Sequence, residues 1–153
     1  MKIADYLTKN DILSQLHATS REGVLKEMVA HLKKTGKIDD ADELVEILLD
    51  REVLGSTGIG HGVAIPHGRL GGLNEILLVF GRSLEGIDFD AHDGEPVRLF
   101  FLLVAPEDSA GLHLKTLARI SRIVKNPECR KVLLDTDDRD TLYSTIEEED
   151  LRH

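Results

Sequence analysis

Residues 55–68 read GSTGIGHGVAIPHG. Five of the chain's 13 glycines and two of its seven histidines fall in these fourteen residues. Glycine lacks a Cβ, so backbone there can approach a ligand closely or adopt positive φ. Two nucleotide-binding motifs can be tested on the stretch. A P-loop requires Gly-x4-Gly-Lys-Ser/Thr; Gly55 and Gly60 have that spacing, but His61 and Gly62 stand where the lysine and hydroxyl belong. A dinucleotide fingerprint requires Gly-x-Gly-x-x-Gly after a strand. Gly58 and Gly60 match, yet Val63 takes the third glycine position and the pattern before the loop is helical. Both motifs fail at residues that carry the chemistry. What remains is His67, in Ile65-Pro66-His67-Gly68. Pro66 fixes φ and removes a donor, and Gly68 leaves room on the far side. Neutral imidazole is nucleophilic and titrates near physiological pH, so it can accept a phosphoryl group and pass it on. On these residues alone His67 reads equally as that nucleophile or as a ring packed at a turn.

Working outward, Val63-Ala64-Ile65 is a short apolar run, 76–80 a longer one and 97–104 longer still. Their Val, Ile and Phe content predicts strands, and near-continuous hydrophobicity predicts strands covered on both faces. Between the last two, residues 84–90 (LEGIDFD) alternate at Ile87 and Phe89 like a shorter, half-exposed strand, and Asp93-Gly94 marks a turn. On the N-terminal side, Thr19-x-x-Glu22 has capping-box spacing ahead of a helix with Val24, Leu25, Met28, Val29 and Leu32 on one stripe and Gly36 as its stop. A second helix opens at Asp39 or Asp40, carries Leu44, Val45, Leu48 and Leu49, and ends near Gly55, which puts Arg51 in its last turn. A third spans about 110–125, limited by Pro127, with Leu117, Ile120 and Val124 on its apolar face. Two short helices, near 128–134 and 138–146, follow, and 146–153 reads as a frayed tail. The expectation is an α/β (α+β) fold: one domain over 1–153, with a central mixed sheet of five strands flanked by helices.

Composition excludes several classes. The chain has 153 residues with 28 acidic and 19 basic side chains, a net charge of −9. That surplus of acid, with 4% aromatic residues and no Trp, argues against nucleic-acid binding. The single cysteine, Cys129, rules out an internal disulfide framework and reads as a bystander thiol. The longest apolar run, Leu99–Ala105, has seven residues, far short of a membrane span. The N-terminus shows no secretion signal, so a cytoplasmic location without membrane insertion is expected.

STGIG followed by AIPHG resembles the phosphorylation-site segment of enzyme IIA domains of the fructose–mannitol and nitrogen-regulatory class, in the bacterial phosphoenolpyruvate-dependent phosphotransferase system. Glu52, with six residues between it and Ile59-Gly60, resembles a family position, as do Val63-Ala64 and residues 113–118 (HLKTLA). So does Ile87-Asp-Phe-Asp-Ala followed by Pro-Val and an apolar strand, and the similarity runs from about Ile3 to Tyr143. The resemblance implies that His67 is the phosphoacceptor, through Nε2, and that its donor is HPr or a nitrogen-type HPr-like phosphocarrier. It implies His113 as the second active-site histidine, Arg51 as the active-site arginine, and Ser56 and Thr57 as small hydroxyl residues supporting the phosphoryl group. A IIB component or a regulatory target protein would take the next step, and no metal or other cofactor is implied. His61 departs from the expected pattern and is given no catalytic role.

Each partner also has an ordinary reading. His113 shares a stripe with Leu117, Ile120 and Val124, so it points toward the sheet from its helix's first turn. There it either meets a phosphoryl group or is a core histidine satisfied by backbone. Arg51 either neutralises transferring phosphate or interacts with a helix C-terminus. Residues 88–94 approach a calcium-loop pattern, but Gly94 is one place late and Leu99 sits where the bidentate glutamate belongs. A turn with solvated carboxylates is the better reading. His17, His31, His92 and His153 read as surface or packing residues. Three functions stay open: a phosphocarrier, a phosphorylation-dependent binding module acting on transporters, kinases or transcription regulators, and a metal-dependent hydrolase built on His61, His67 and His113.

Overall fold

The computed structural model describes residues 2–153. After 3-10 turns at Ile3–Asp5 and Lys9–Asp11 come β1 (Ile12–Leu13), α1 (Arg21–Lys34) and α2 (Ala41–Val53). Next are β2 (Gly58–Gly60), β3 (Val63–Ala64), β4 (His67–Leu70), β5 (Leu77–Ile87) and β6 (Val97–Pro106). The chain ends in α3 (Ala110–Lys125), α4 (Pro127–Asp135) and α5 (Arg139–Leu151). The strands form one mixed sheet of six, ordered β1-β5-β6-β3-β2, with β4 beside β3 on the same edge of β6. The sheet thus holds one strand more than expected: β1, β2 and β4 join the three apolar runs, while 84–90 merges into β5.

β6 decides the layering. Leu99, Phe101, Leu103 and Ala105 face one side, among residues of α3, α4 and α5; Phe100, Leu102 and Val104 face the other, among residues of α1 and α2. Side chains alternate across a strand, so a run apolar at both parities must be covered twice. β5 repeats the pattern, with Leu78 and Phe80 on the first side and Leu77 and Val79 on the second. Among the described residues no helix is long and apolar enough to cross a membrane.

Three local expectations need correction. The cap of α1 is Ser20 rather than Thr19: the Ser20 hydroxyl accepts from the Gly23 amide at 3.1 Å. Residues 84–90 are not a separate half-exposed strand: β5 continues to Ile87 through a bulge between Arg82 and Ile87, and Phe89 is fully buried, its ring 5.4 Å from that of Phe100. The tail is not frayed. α5 extends to Leu151, and Asp150 is wholly buried, accepting from the Arg119 guanidinium and from the Ala4 amide at 3.3 Å. Arg119 also donates to the Asp150 carbonyl at 2.8 Å, and Asn126 to Glu149 at 2.9 Å. A polar tail looks solvated in isolation; here Glu149 and Asp150 each have a partner from another element.

Removing one partner of a buried ion pair strands the other. Asp150→Ala is expected to lower unfolding free energy by about 3 kcal/mol, read as an earlier midpoint in urea with unchanged slope. A loss within about 0.5 kcal/mol would return the tail to a frayed state.

Candidate active site

β3 and β4 lie parallel to β6 in one register, Val63 opposite Leu99, Ala64 opposite Phe100 and His67 opposite Leu103. Between them the ladder is interrupted. Pro66 has no N–H, although its carbonyl accepts from the Leu103 amide at 2.9 Å. The Ile65 amide turns away to the Thr57 carbonyl at 3.0 Å. The Ile65 carbonyl meets the imidazole of His67, with Nδ1 at 2.8 Å. A carbonyl oxygen only accepts, so Nδ1 carries the proton and Nε2 the lone pair. Arg51 agrees with this assignment: its Nε–H, which can only donate, lies 3.3 Å from His67 Nε2.

Arg51 reaches the ring from the last turn of α2, and its Nη1 also donates to the Gly55 carbonyl at 2.8 Å. Gly68 makes this approach possible. A Cβ there would stand 2.8 Å from Ile47 Cγ2, so α2 seats directly on the β4 backbone. The space a side chain at residue 68 would take is therefore occupied by Ile47 of α2. The loop after α2 is held by Glu52, a carboxylate only 4% exposed, which accepts from the Thr57 amide at 2.9 Å and from the Thr57 hydroxyl.

His113 enters from the first turn of α3. Its ring stands edge-on to that of His67, with centroids 5.4 Å apart and an interplanar angle of 78°. Arg69 Nε donates to His113 Nδ1 at 3.4 Å. His113 Nε2 is, among the described residues, the one buried side-chain nitrogen or oxygen without a hydrogen-bond partner. His67, His113, Arg51 and Arg69 line a cavity of about 580 Å³, and Leu54 and Leu114 stand at its walls with 84% and 66% exposure.

Burial is the main cause that pushes the His67 pKa below the ordinary imidazole value; the Arg51 charge adds to it, while the Ile65 bond and Glu52 oppose it. His113 is lowered by burial first and then by His67 and Arg69. Both shifts favour neutral rings, which hold opposite halves of the same chemistry: a lone pair at His67 Nε2 and, because Arg69 only donates to Nδ1, an N–H at His113 Nε2.

The structure thus brings together three residues singled out from sequence, His67, His113 and Arg51. Ser56 and Thr57 sit beside the site with their hydroxyls engaged elsewhere, on the Phe89 carbonyl and on Glu52. His61 lies apart, exposed at the β2–β3 turn with φ of 57°, its amide donating to Asp93 at 3.1 Å. The grouping of His61, His67 and His113 is not formed, and among the described residues no three His, Cys, Asp or Glu side chains are placed to hold a metal ion. The 88–94 turn uses its carboxylates on its own backbone; the amides of Glu95 and His61 hold the Asp93 pKa down. His31 pairs with Asp11 at 3.0 Å, and burial of Cys129 pushes its thiol up to about 11. Sequence reasoning missed Arg69. Its signal was the two-residue step from His67, which puts both side chains on one face of a strand.

Residues 5–149 match the family described as Phosphoenolpyruvate-dependent sugar phosphotransferase system, EIIA 2. A nitrogen regulatory protein of Bradyrhizobium diazoefficiens is 42% identical over 147 residues, covering 95% of both chains. A fructose-specific EIIABC component of Bacillus subtilis is 38% identical over 150 residues, which are 98% of this chain and 24% of that longer protein. The crystal structure of nitrogen regulatory protein IIA-Ntr from Neisseria meningitidis superposes with a TM-score of 0.87 at 32% identity, covering 94% of this chain and 98% of that one. The chain belongs to the type-2 enzyme IIA family. It is a component of the phosphotransferase system, related to both the nitrogen-regulatory and the fructose branches, and its relatives are consistent with a phosphocarrier role.

Two outcomes follow from the geometry. In an NMR titration, His67 and His113 are expected to protonate below 6.5. The unfolded chain then binds more protons than the native one, so their contribution to stability is complete above that value and is lost as pH falls through the native pKa values. A His67 midpoint above 6.5 would contradict the burial argument. Gly68→Ala is expected to cost about 1–3 kcal/mol and to move the His67 midpoint back toward 6.5 as α2 and Arg51 shift outward. Unchanged stability and titration would show that α2 does not depend on Gly68 for its seat.

Proposed function

We propose that His67 is the phosphoacceptor, receiving a phosphoryl group at Nε2 from the phosphohistidine of HPr or a nitrogen-type HPr-like carrier, in the cytoplasm. The observation that carries this reading is the hydrogen bond from His67 Nδ1 to the Ile65 carbonyl, which leaves the Nε2 lone pair facing the cavity. In the transfer, the Nε2 lone pair forms the new P–N bond while the donor's P–N bond breaks and its electron pair returns to the donor imidazole. The His67 ring gains positive character, which strengthens its Nδ1–H bond to Ile65. Arg51 leaves the lone pair for a phosphoryl oxygen, and His113 donates its free Nε2–H to another. Phosphoryl transfer asks the protein for positioning and charge stabilisation, and these groups supply both.

Leu54 and Leu114 beside the cavity suit a docking carrier protein, since apolar contact excludes water from the exchange. The group would then pass to a IIB component or serve as a signal that alters binding to a transporter, kinase or transcription regulator. The 42% identity with a nitrogen regulatory protein, over nearly all of both chains, favours the regulatory branch.

Incubation with phosphoenolpyruvate, enzyme I and an HPr-like carrier is expected to yield one acid-labile phosphate per chain, absent in His67→Ala. His113→Ala is expected to fold and to be phosphorylated about 10²-fold more slowly. An adduct that survives His67→Ala removes His67 from the role.

A further inference from the structure

Arg69 is assigned no role by any resemblance, yet it makes a side-chain contact within the site. It lies on β4 two residues beyond His67, with its backbone fixed opposite Ala105 of β6. Its Nε donates to Nδ1 of His113 at 3.4 Å, bridging β4 to α3. Among the described residues its two terminal nitrogens have no hydrogen-bond partner in the chain, and its side chain lines the cavity.

A neutral imidazole has two tautomers, and which one holds is set by the partner of the other nitrogen. A guanidinium has donors and no acceptor, so the nitrogen it meets must bear a lone pair. His113 Nδ1 therefore has no proton, and the ring's single N–H is at Nε2. That atom is buried, belongs to a residue only 7% exposed, and has no partner in the chain. A buried donor left unsatisfied is unfavourable, and an arriving anionic oxygen would satisfy it.

We propose that Arg69 is a positioning residue that locks His113 as the Nε2–H tautomer, so that its free N–H is presented to a phosphoryl oxygen on His67. The effect on transfer rests on His67 being the acceptor; the tautomer does not. The arrangement mirrors the other half of the site. The Ile65 carbonyl makes His67 an acceptor at Nε2 by taking its proton at Nδ1, and Arg69 makes His113 a donor at Nε2 by blocking protonation at Nδ1. Among the described residues no other group hydrogen-bonds His113 Nδ1, so without Arg69 no partner there selects between its two neutral forms.

The test compares wild type, Arg69→Met and Arg69→Lys by nitrogen-15 NMR of the histidine rings and by rapid-quench phosphorylation with the phosphorylated HPr-like carrier. In wild type, His113 is expected to show a pyridine-type signal at Nδ1 and a pyrrole-type signal at Nε2. In Arg69→Met the two His113 signals move toward a common average while those of His67 stay in place, and the maximal transfer rate falls about twofold, with the share of the Nε2–H form that is lost. Arg69→Lys, again donor-only, restores the tautomer and part of the rate. An unchanged His113 tautomer in Arg69→Met overturns the proposal. So does a mixed tautomer with an unchanged maximal rate, or a loss confined to KM for the carrier, which would make Arg69 a docking residue. If wild type accepts no phosphate, the acceptor reading of His67 fails, and the NMR comparison still decides whether Arg69 sets the tautomer.

Discussion

The hydrogen bond between His67 Nδ1 and the Ile65 carbonyl, at 2.8 Å, is the constraint on which the site depends. It exists because the edge strand is interrupted without losing register. β3 and β4 keep the same offset against β6 on both sides of Ile65-Pro66, so the chain takes no extra residue to make the break. At the break the Ile65 amide turns to Thr57, leaving its carbonyl to meet the ring two residues later. Replace that carbonyl by water and the proton would be free to sit on either nitrogen, and rings protonated at Nε2 would be blocked there.

The rest of the architecture brings Arg51 to this ring and Arg69 to His113 without protonating either imidazole. Arg51 arrives because Gly68 lets α2 rest on β4; Arg69 arrives because the strand's two-residue period returns it to the face of His67. Both guanidiniums lower the affinity of the imidazoles for protons, and burial lowers it further. Glu52 opposes the shift at His67, but its carboxylate is turned to Thr57 and holds the loop. The balance keeps a neutral nucleophile beside positive charge, the combination suited to a group that arrives carrying about −1.5 to −2.

The large apolar runs made the double-covered sheet legible, since only a strand buried on both faces reads like 97–104, and caps and stops placed α1, α2 and α3 within a residue or two. His67 stood out through Pro66 and Gly68, and Arg51 through its place at a helix end. What stayed hidden was set by distant partners. β1 is two residues long and exists through pairing with β5, and β2 is Gly-Ile-Gly, a strand only because Val63 and Ala64 lie beside it. Asp150 looks like one more tail acid until Arg119, 31 residues earlier, comes to it. Arg69 looks like a surface charge because nothing nearby in sequence announces His113, 44 residues on. Ser56 and Thr57 show the converse: their place beside the site was legible, but their hydroxyl partners were not.

In the resting state Arg51 covers the His67 lone pair, and that contact makes the proposed acceptor selective. A neutral electrophile without anionic oxygens offers little that competes for the guanidinium. A phosphoryl group does, because its oxygens are stronger acceptors than an imidazole nitrogen and can engage the arginine fork through two N–H groups. Displacing Arg51 from Nε2 and engaging it with the phosphoryl group are then one movement, which bares the lone pair when the electrophile is in place. The bond of Arg51 Nη1 to the Gly55 carbonyl keeps the side chain close during that exchange. The chain as a whole carries −9, so the local positive charge of Arg51 and Arg69 stands against an unfavourable background that holds anions off elsewhere on the surface. Selectivity of this kind needs no closing lid: it follows from placing a donor-only cation on the atom that must react.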